Sequence, residues 1–285
     1  MNGLTGKLLN MAVYGAEPDD DLAPLLTHTG KNKILLHMLR ALNVHGSLRE
    51  QQESAMSEVI GVVRTLSKLL KNYDYAFFKL VKPLSYVPAD VDLLVDASQV
   101  GRAAHEIVRL GYRVAVKDQY CITLTRGSSI IDLYVHPSLG GAVFIDGQRL
   151  LEHSCIMEFN EVEVRSIEGY AEALVAASHA IYKERIYTLN DYFTVEKWTT
   201  KKTLKLVQEL KCEEALKTAI NLNRKIHLGL LETPYKIPAP TWLAILIRKL
   251  QTDNLIRATS INMLKTLTDK RTGKLLISKL TRETY

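Results

Sequence analysis

An α+β fold is the expectation for this chain: a small mixed sheet backed by helices, with a helical lead before it and an all-helical region after it. Two observations carry it. Short apolar runs rich in Val, Ile, Leu and aromatic residues, punctuated by turn residues, are confined to residues 75–166. On either side, apolar residues recur at helical spacing, from Lys31 to Leu70 and from Gly169 almost to the end. The 285 residues have room for one large domain or two ordinary ones. The expected organisation is an N-terminal helical extension over 1–47, a sheet-bearing domain over 48–168 and a C-terminal helical domain over 169–285.

Taken in order, Asp19-Asp20-Asp21 reads as a solvated turn. Ile34, Leu35, Met38, Leu39 and Leu42 predict an amphipathic helix over Lys31–Asn43. Gly46 ends it and Ser47 is a candidate cap for the next helix, Leu48–Leu70, whose stripe is Met56, Val59, Ile60, Val63, Leu66 and Leu70. Tyr75–Val81 reads as a strand, followed by a proline-bounded turn and a second strand carrying Asp90 and Asp92. A helix over Ala97–Leu110 stops at Gly111. Strands follow at Tyr112–Val116, Cys121–Thr125 and Ile130–Val135, with turns at Lys117-Asp118-Gln119 and Arg126–Ser129. His105 reads as a surface residue and His136 as a plain loop histidine. Val143–Gly147 resembles a strand and turn, and Val162–Ser166 is the last strand before a boundary near Glu168. Ala171, Leu174, Val175, Ala177, Ser178, Ile181 and Tyr182 then make a small-residue helix. Thr188 is a candidate N-cap for a helix beginning near Asn190, and Pro234, Pro238 and Pro240 mark a rigid linker.

Composition narrows the class. Hydrophobic content of 47% and charged content of 24% are those of a globular protein. No apolar run approaches a membrane span and nothing at the N-terminus has a signal peptide's layout, so the expectation is a cytoplasmic protein with no membrane partner. Cys121, Cys155 and Cys212 are scattered and form no CxxC pair, which argues against a disulfide framework, a disulfide-linked partner and a zinc site. The net charge is +6. Much of the excess lies late, in Arg248, Lys249, Arg257, Lys265, Lys270, Arg271, Lys274, Lys279 and Arg282. Such a segment attracts nucleotides or nucleic acid. The plainer reading is a solvated helix face, and with only Trp242 and Tyr285 aromatic there, stacking platforms are scarce.

The residues that carry chemistry are carboxylates. In a strand, positions i and i+2 share a face, so Asp90 and Asp92 project together while Val91, Leu93 and Val95 turn away. Two adjacent carboxylates repel and are best tolerated with a cation between them. Oxygen donors of this kind suit Mg²⁺ held together with substrate phosphates. Asp132, in Ile130-Ile131-Asp132-Leu133-Tyr134-Val135, is a candidate third carboxylate on a neighbouring strand.

With these residues the chain resembles the nucleotidyltransferase superfamily, the fold of DNA polymerase beta and the aminoglycoside nucleotidyltransferases, and looks closest to a poorly characterised archaeal branch of it. The matching residues are Asp90-Val91-Asp92-Leu93-Leu94-Val95, Leu110-Gly111-Tyr112, Ile131-Asp132-Leu133, Ser178-His179-Ala180-Ile181-Tyr182-Lys183 and Leu189-Asn190-Asp191. They span roughly residues 50 to 285. The resemblance implies Mg²⁺- or Mn²⁺-dependent transfer of a nucleoside monophosphate from an NTP to the hydroxyl of an acceptor, whether small molecule, protein or RNA. It implies that Asp90 and Asp92 hold two ions, and that Asp132 binds the catalytic ion and takes the acceptor's proton. The chain departs from the family upstream, where a Gly-Ser pair usually holds the terminal phosphates. Here the stretch is Phe78-Lys79-Leu80-Val81-Lys82-Pro83-Leu84-Ser85, without glycine. Lys79 and Lys82, with Ser85, are the candidate replacements, Lys79 on a strand with its side chain opposite Phe78 and Leu80. The alternative is a catalytically inactive member that binds nucleotide, RNA or a protein partner. His179, Lys183 and Asp191 fall where the helical domain of such proteins closes over the nucleotide, 179 and 183 sharing a helix face. A packed core histidine is the plainer reading of His179.

Overall fold

The structure is a computed structural model that describes residues 3–14 and 22–268, with 273, 274, 278 and 281 beyond them. The Asp19–Asp21 patch and Lys270, Arg271, Lys279 and Arg282 of the basic segment lie outside the described residues. Helices α1 (Leu4–Tyr14), α2 (Leu22–Lys31) and α3 (Leu35–Ala41) precede the long α4 (Ser47–Leu69). Next come β1 (Tyr75–Phe77), β2 (Val91–Val95), α5 (Val100–Arg109), β3 (Arg113–Lys117), β4 (Cys121–Arg126) and β5 (Ser129–Tyr134). The short β6 (Ser138–Leu139) and β7 (Ala142–Val143) pair with each other, and α6 (Gly147–Leu151), β8 (Ser154–Phe159) and β9 (Val162–Ile167) follow. Then come α7 (Gly169–Ser178), a π-helical turn over His179–Glu184, β10 (Ile186–Tyr187), α8 (Leu189–Trp198), α9 (Lys201–Glu209) and α10 (Glu213–His227). The two-residue β11 (Tyr235–Lys236) pairs with β10, and α11 (Ala239–Thr252) and α12 (Asn254–Thr268) end the described fold.

The fold is α+β. Seven strands form one mixed sheet in the order β3-β4-β5-β2-β1-β9-β8. β2 runs parallel to β5 and β1 parallel to β9, while β1 and β2 are antiparallel. Alternation along the strands divides the core between the two faces of the sheet. Phe77, Val91, Leu93, Val95, Ile131 and Leu133 pack with Val63 and Leu66 of α4 and Ile107 of α5. Ala76, Phe78, Leu94 and Tyr134 belong to a larger cluster that takes in the α7–α12 helices and reaches Leu8 and Ile34 near the N-terminus. Asp92 and Asp132 share the parity of Leu94 and Tyr134, so they face the helical side. No helix among the described residues is long and apolar enough to cross a membrane.

Several local expectations are corrected. The helix expected over Lys31–Asn43 is interrupted by a link between α2 and α3. Lys33 is left-handed at φ 56, with the Ile34 N–H bonded to the Thr29 carbonyl and the Lys33 N–H to that of Gly30. This is the double-bonded helix stop usually built on glycine. Gly46, not Ser47, is the α4 N-cap, with no side-chain capping bond. The strand expected to reach Val81 ends at Phe77. Past Val143 the chain forms α6 instead of a strand and turn, because Asp146 accepts hydrogen bonds from the Gln148 and Arg149 N–H groups and caps it. Thr188 does cap α8, in a reciprocal capping box with Asp191. In the basic segment, Lys249 is not on a solvated face. Its side chain is 0% exposed, pairs with Asp253 at 2.8 Å and donates to the Leu210 and Lys211 carbonyls at the end of α9.

Candidate functional site

The register of two parallel strands builds the centre of the site. Asp92 of β2 stands level with Asp132 of β5, and Asp90 lies in the bend just before β2. One carboxylate oxygen from each of the three lies within 4.8 Å of the others. Asp92 is 4% exposed. Burial, with Asp90 and Asp132 adding to it against the pull of Lys79, pushes its carboxyl up to about 7. Asp132 is oriented by neighbours on the sheet. The Thr123 hydroxyl, on β4 opposite it, donates to Oδ1 at 2.6 Å, and the Tyr134 hydroxyl reaches Oδ2 at 3.3 Å. The Lys183 ammonium in turn donates to the Tyr134 hydroxyl at 3.2 Å.

Two lysines stand beside the carboxylates, both already paired. Lys79 is not on a strand: its φ is 60 and its ammonium lies 2.7 Å from Asp92 Oδ2. A left-handed non-glycine residue costs about 1–3 kcal/mol and persists only where its surroundings over-determine it. Here the Phe78 N–H makes the last bond to β2, at the Asp92 carbonyl, and Glu172 of α7 captures the Lys79 N–H at 3.0 Å. The Tyr86 hydroxyl donates to the Lys79 carbonyl. The Phe78 and Tyr134 rings lie 5.0 and 5.5 Å from the ammonium. Burial alone would lower the Lys79 pKa, but Asp92, Asp90 and Asp132 outweigh it and hold it above the ordinary lysine value. Lys82 bonds the other Glu172 oxygen at 2.6 Å, both side chains being nearly inaccessible.

Lys79, Lys82 and the three aspartates line a cleft that is partly open to solvent. Its other wall holds Lys183 and Glu184 of the π turn, His179, and Asp191 from the α8 capping box. In the π turn, residues five apart come together, and His179 Nε2 lies 3.4 Å from Glu184 Oε1. Ser85 is not among the lining residues, and its hydroxyl accepts from Arg40 Nη1 at 3.3 Å. His136 is also elsewhere, accepting the Gly147 N–H on Nδ1 at 2.9 Å.

Sequence reasoning missed Lys33, which enters the cleft from the α2–α3 link. Burial lowers its pKa, and Asp191 and Glu184 oppose that shift. No local pattern marks it, since a lysine rarely takes the left-handed position that ends α2. Tyr134 was within reach of the sequence, because two residues after Asp132 on a strand it must share that face. Three hard oxygen donors, with the buried Asp92 Oδ1 lacking any hydrogen-bond partner, fit a small divalent ion such as Mg²⁺ or Mn²⁺.

The sequence matches no family profile and no curated protein. Among solved structures, the crystal structure of ANT(2")-Ia in complex with adenylyl-2"-tobramycin aligns with 61% of this chain and 95% of its own. The identity is 12% and the TM-score 0.31. A likeness that distant says nothing of chemistry.

Proposed function

We propose that this chain is a divalent-metal-dependent nucleotidyltransferase, moving a nucleoside monophosphate from an NTP to an acceptor hydroxyl with release of pyrophosphate. The observation that supports it is the convergence of Asp90, Asp92 and Asp132 within 4.8 Å at the edge of a cleft walled by lysines. Those three residues would hold Mg²⁺ or Mn²⁺, which when bound neutralises charge on the transferring phosphoryl group and favours ionisation of the attacking hydroxyl. The protein's own share is positioning and electrostatics. Asp132, its oxygens fixed by Thr123 and Tyr134, is the acceptor's proton receiver. Lys33 and Lys183 stand on the wall where phosphate oxygens need counter-charge. His179, beside Glu184, and Asp191 border the same space.

A second reading, a catalytically silent fold that binds nucleotide, RNA or a protein partner, draws on a specific observation: Lys79 and Lys82 are both engaged by carboxylates. Calorimetric titration of the four NTPs with and without Mg²⁺, on the wild type and Asp132→Asn, separates the two. The enzyme reading expects metal-dependent NTP binding and pyrophosphate release on adding acceptor, both lost in the variant. Metal-independent NTP binding, or none, in the wild type would overturn it.

A further inference from the structure

We infer that Lys79 is a built-in counter-cation standing in for one of two divalent ions, so that the carboxylate triad holds a single metal ion. The inference rests on the metal-dependent reading of this site and goes beyond it.

Three features of the site carry it. The first is donor supply. Two ions roughly 3.5–4 Å apart would share the oxygens of one small carboxylate set, so an oxygen already held by a protein cation is one fewer for a second ion. Asp92 has one oxygen engaged by the Lys79 ammonium at 2.7 Å, leaving only Oδ1, buried and without a hydrogen-bond partner. Asp132 accepts the Thr123 and Tyr134 hydroxyls on its two oxygens.

The second is fixity. Lys79 does not hold its place by its flexible stem alone. Its N–H is bonded to Glu172 and its carbonyl to Tyr86, and two aromatic rings flank the ammonium. Glu172 is itself held by Lys82. The left-handed backbone at Lys79 is thus locked from α7 and from the Tyr86 segment, and it directs the side chain at Asp92.

The third is charge. With all three carboxylates ionised, three negative charges against the one positive charge of Lys79 leave two, which one divalent ion neutralises. A protein ammonium at that place also avoids the dehydration that Mg²⁺ resists.

The test counts ions. Mn²⁺ binding at pH 8 is measured by equilibrium dialysis and electron paramagnetic resonance on the wild type, Lys79→Met and Lys79→Arg. Anomalous diffraction then locates Mn²⁺ at the triad in wild-type crystals grown with MnCl₂ and a non-hydrolysable ATP analogue. The expected result is one ion at the triad in the wild type and in Lys79→Arg, which keeps the charge, and two in Lys79→Met. Two ions at the wild-type triad, or one in a folded Lys79→Met, would overturn the inference while leaving a metal-dependent enzyme intact. No ion in the wild type would overturn both. If Lys79→Met does not fold, the wild-type and Lys79→Arg counts still decide.

Discussion

Glu172 is the residue on which the strained lysine depends, and replacing it tests that dependence directly. Its carboxylate is 2% exposed and does two jobs, pairing with the Lys82 ammonium at 2.6 Å and accepting the Lys79 N–H at 3.0 Å. Glu172→Ala strands Lys82, whose side chain is 6% exposed, without a counter-charge. Removing one partner of a buried pair costs about 3–5 kcal/mol. The lost acceptor for the Lys79 N–H adds to this, but relaxation of the left-handed backbone returns on the order of 1 kcal/mol. The net expectation stays near 3–5 kcal/mol. Glu172→Gln keeps an acceptor and loses only the charge, so it should cost about 1.5–3 kcal/mol, the worth of hydrogen bonds to charged groups. Glu172→Gln combined with Lys82→Met removes both charges and should recover most of the loss. Urea unfolding followed by the fluorescence of Trp198 and Trp242 measures all three. A Glu172→Ala cost below about 1 kcal/mol, or a double variant no more stable than the single one, would refute the reasoning.

Three further outcomes follow from the same geometry. In metal-free buffer the Asp92 carboxyl keeps its proton up to about pH 7, whereas in the unfolded chain it ionises near 3.8. Between those values the folded state binds the extra proton, so the stability of the wild type relative to Asp92→Asn should fall as pH rises from about 4 to 7 and level off above; urea midpoints at pH 5 and 8 test this, and a relative stability that rises with pH would mean that Lys79 depresses the carboxyl instead. Thr188→Ala removes the α8 capping box and should cost about 1 kcal/mol in the same unfolding assay, a loss under 0.3 kcal/mol counting against it. Lys33→Ala should weaken NTP binding about tenfold or more by calorimetry while sparing Mn²⁺ affinity, since a charge-assisted bond is worth about 1.5–3 kcal/mol; unchanged NTP affinity would remove Lys33 from the site.

What was legible from the sequence was periodic. Alternation put Asp90 and Asp92 on one face and left Asp132 as a candidate on a neighbouring strand, and the structure sets Asp92 and Asp132 level on adjacent strands with Asp90 in the bend just before β2. The helical stripe of α4 and the Thr188 cap were equally local signals, and both are present. What was not legible depends on distant partners. β1 stops short because Glu172, 93 positions after Lys79, takes the N–H that a longer strand would have used. Lys33 and Lys79 sit in left-handed positions that sequence patterns reserve for glycine. Lys249 reads as one more charge on a basic helix, yet it is buried because the free carbonyls ending α9 and the Asp253 carboxylate together satisfy its ammonium. The π turn adds one residue to a helical turn, which no apolar stripe marks, and it turns a His179–Lys183 face into a His179–Glu184 contact.

Two of the left-handed positions of this protein, Lys33 and Lys79, line the same cleft, and each is braced from elsewhere. Lys79 is locked by α7 and Tyr86. Lys33 is locked by α8: the Leu189 N–H donates to Asn32 Oδ1 at 3.0 Å, and the Asn190 side chain donates to the Lys33 carbonyl at 3.1 Å. The α2–α3 link is thereby stapled to the helix start that carries Asp191, which fixes Lys33 relative to Asp191 at the cleft. Strained positions persist where surrounding structure over-determines them, and they concentrate where a site requires a particular placement of charge. Placing lysines from two distant segments, each braced through its backbone, around three carboxylates that repel one another costs stability. In the proposed reading an ion and an anionic ligand complete the arrangement, and fixed charges stabilise a ligand most when they need no rearrangement to meet it.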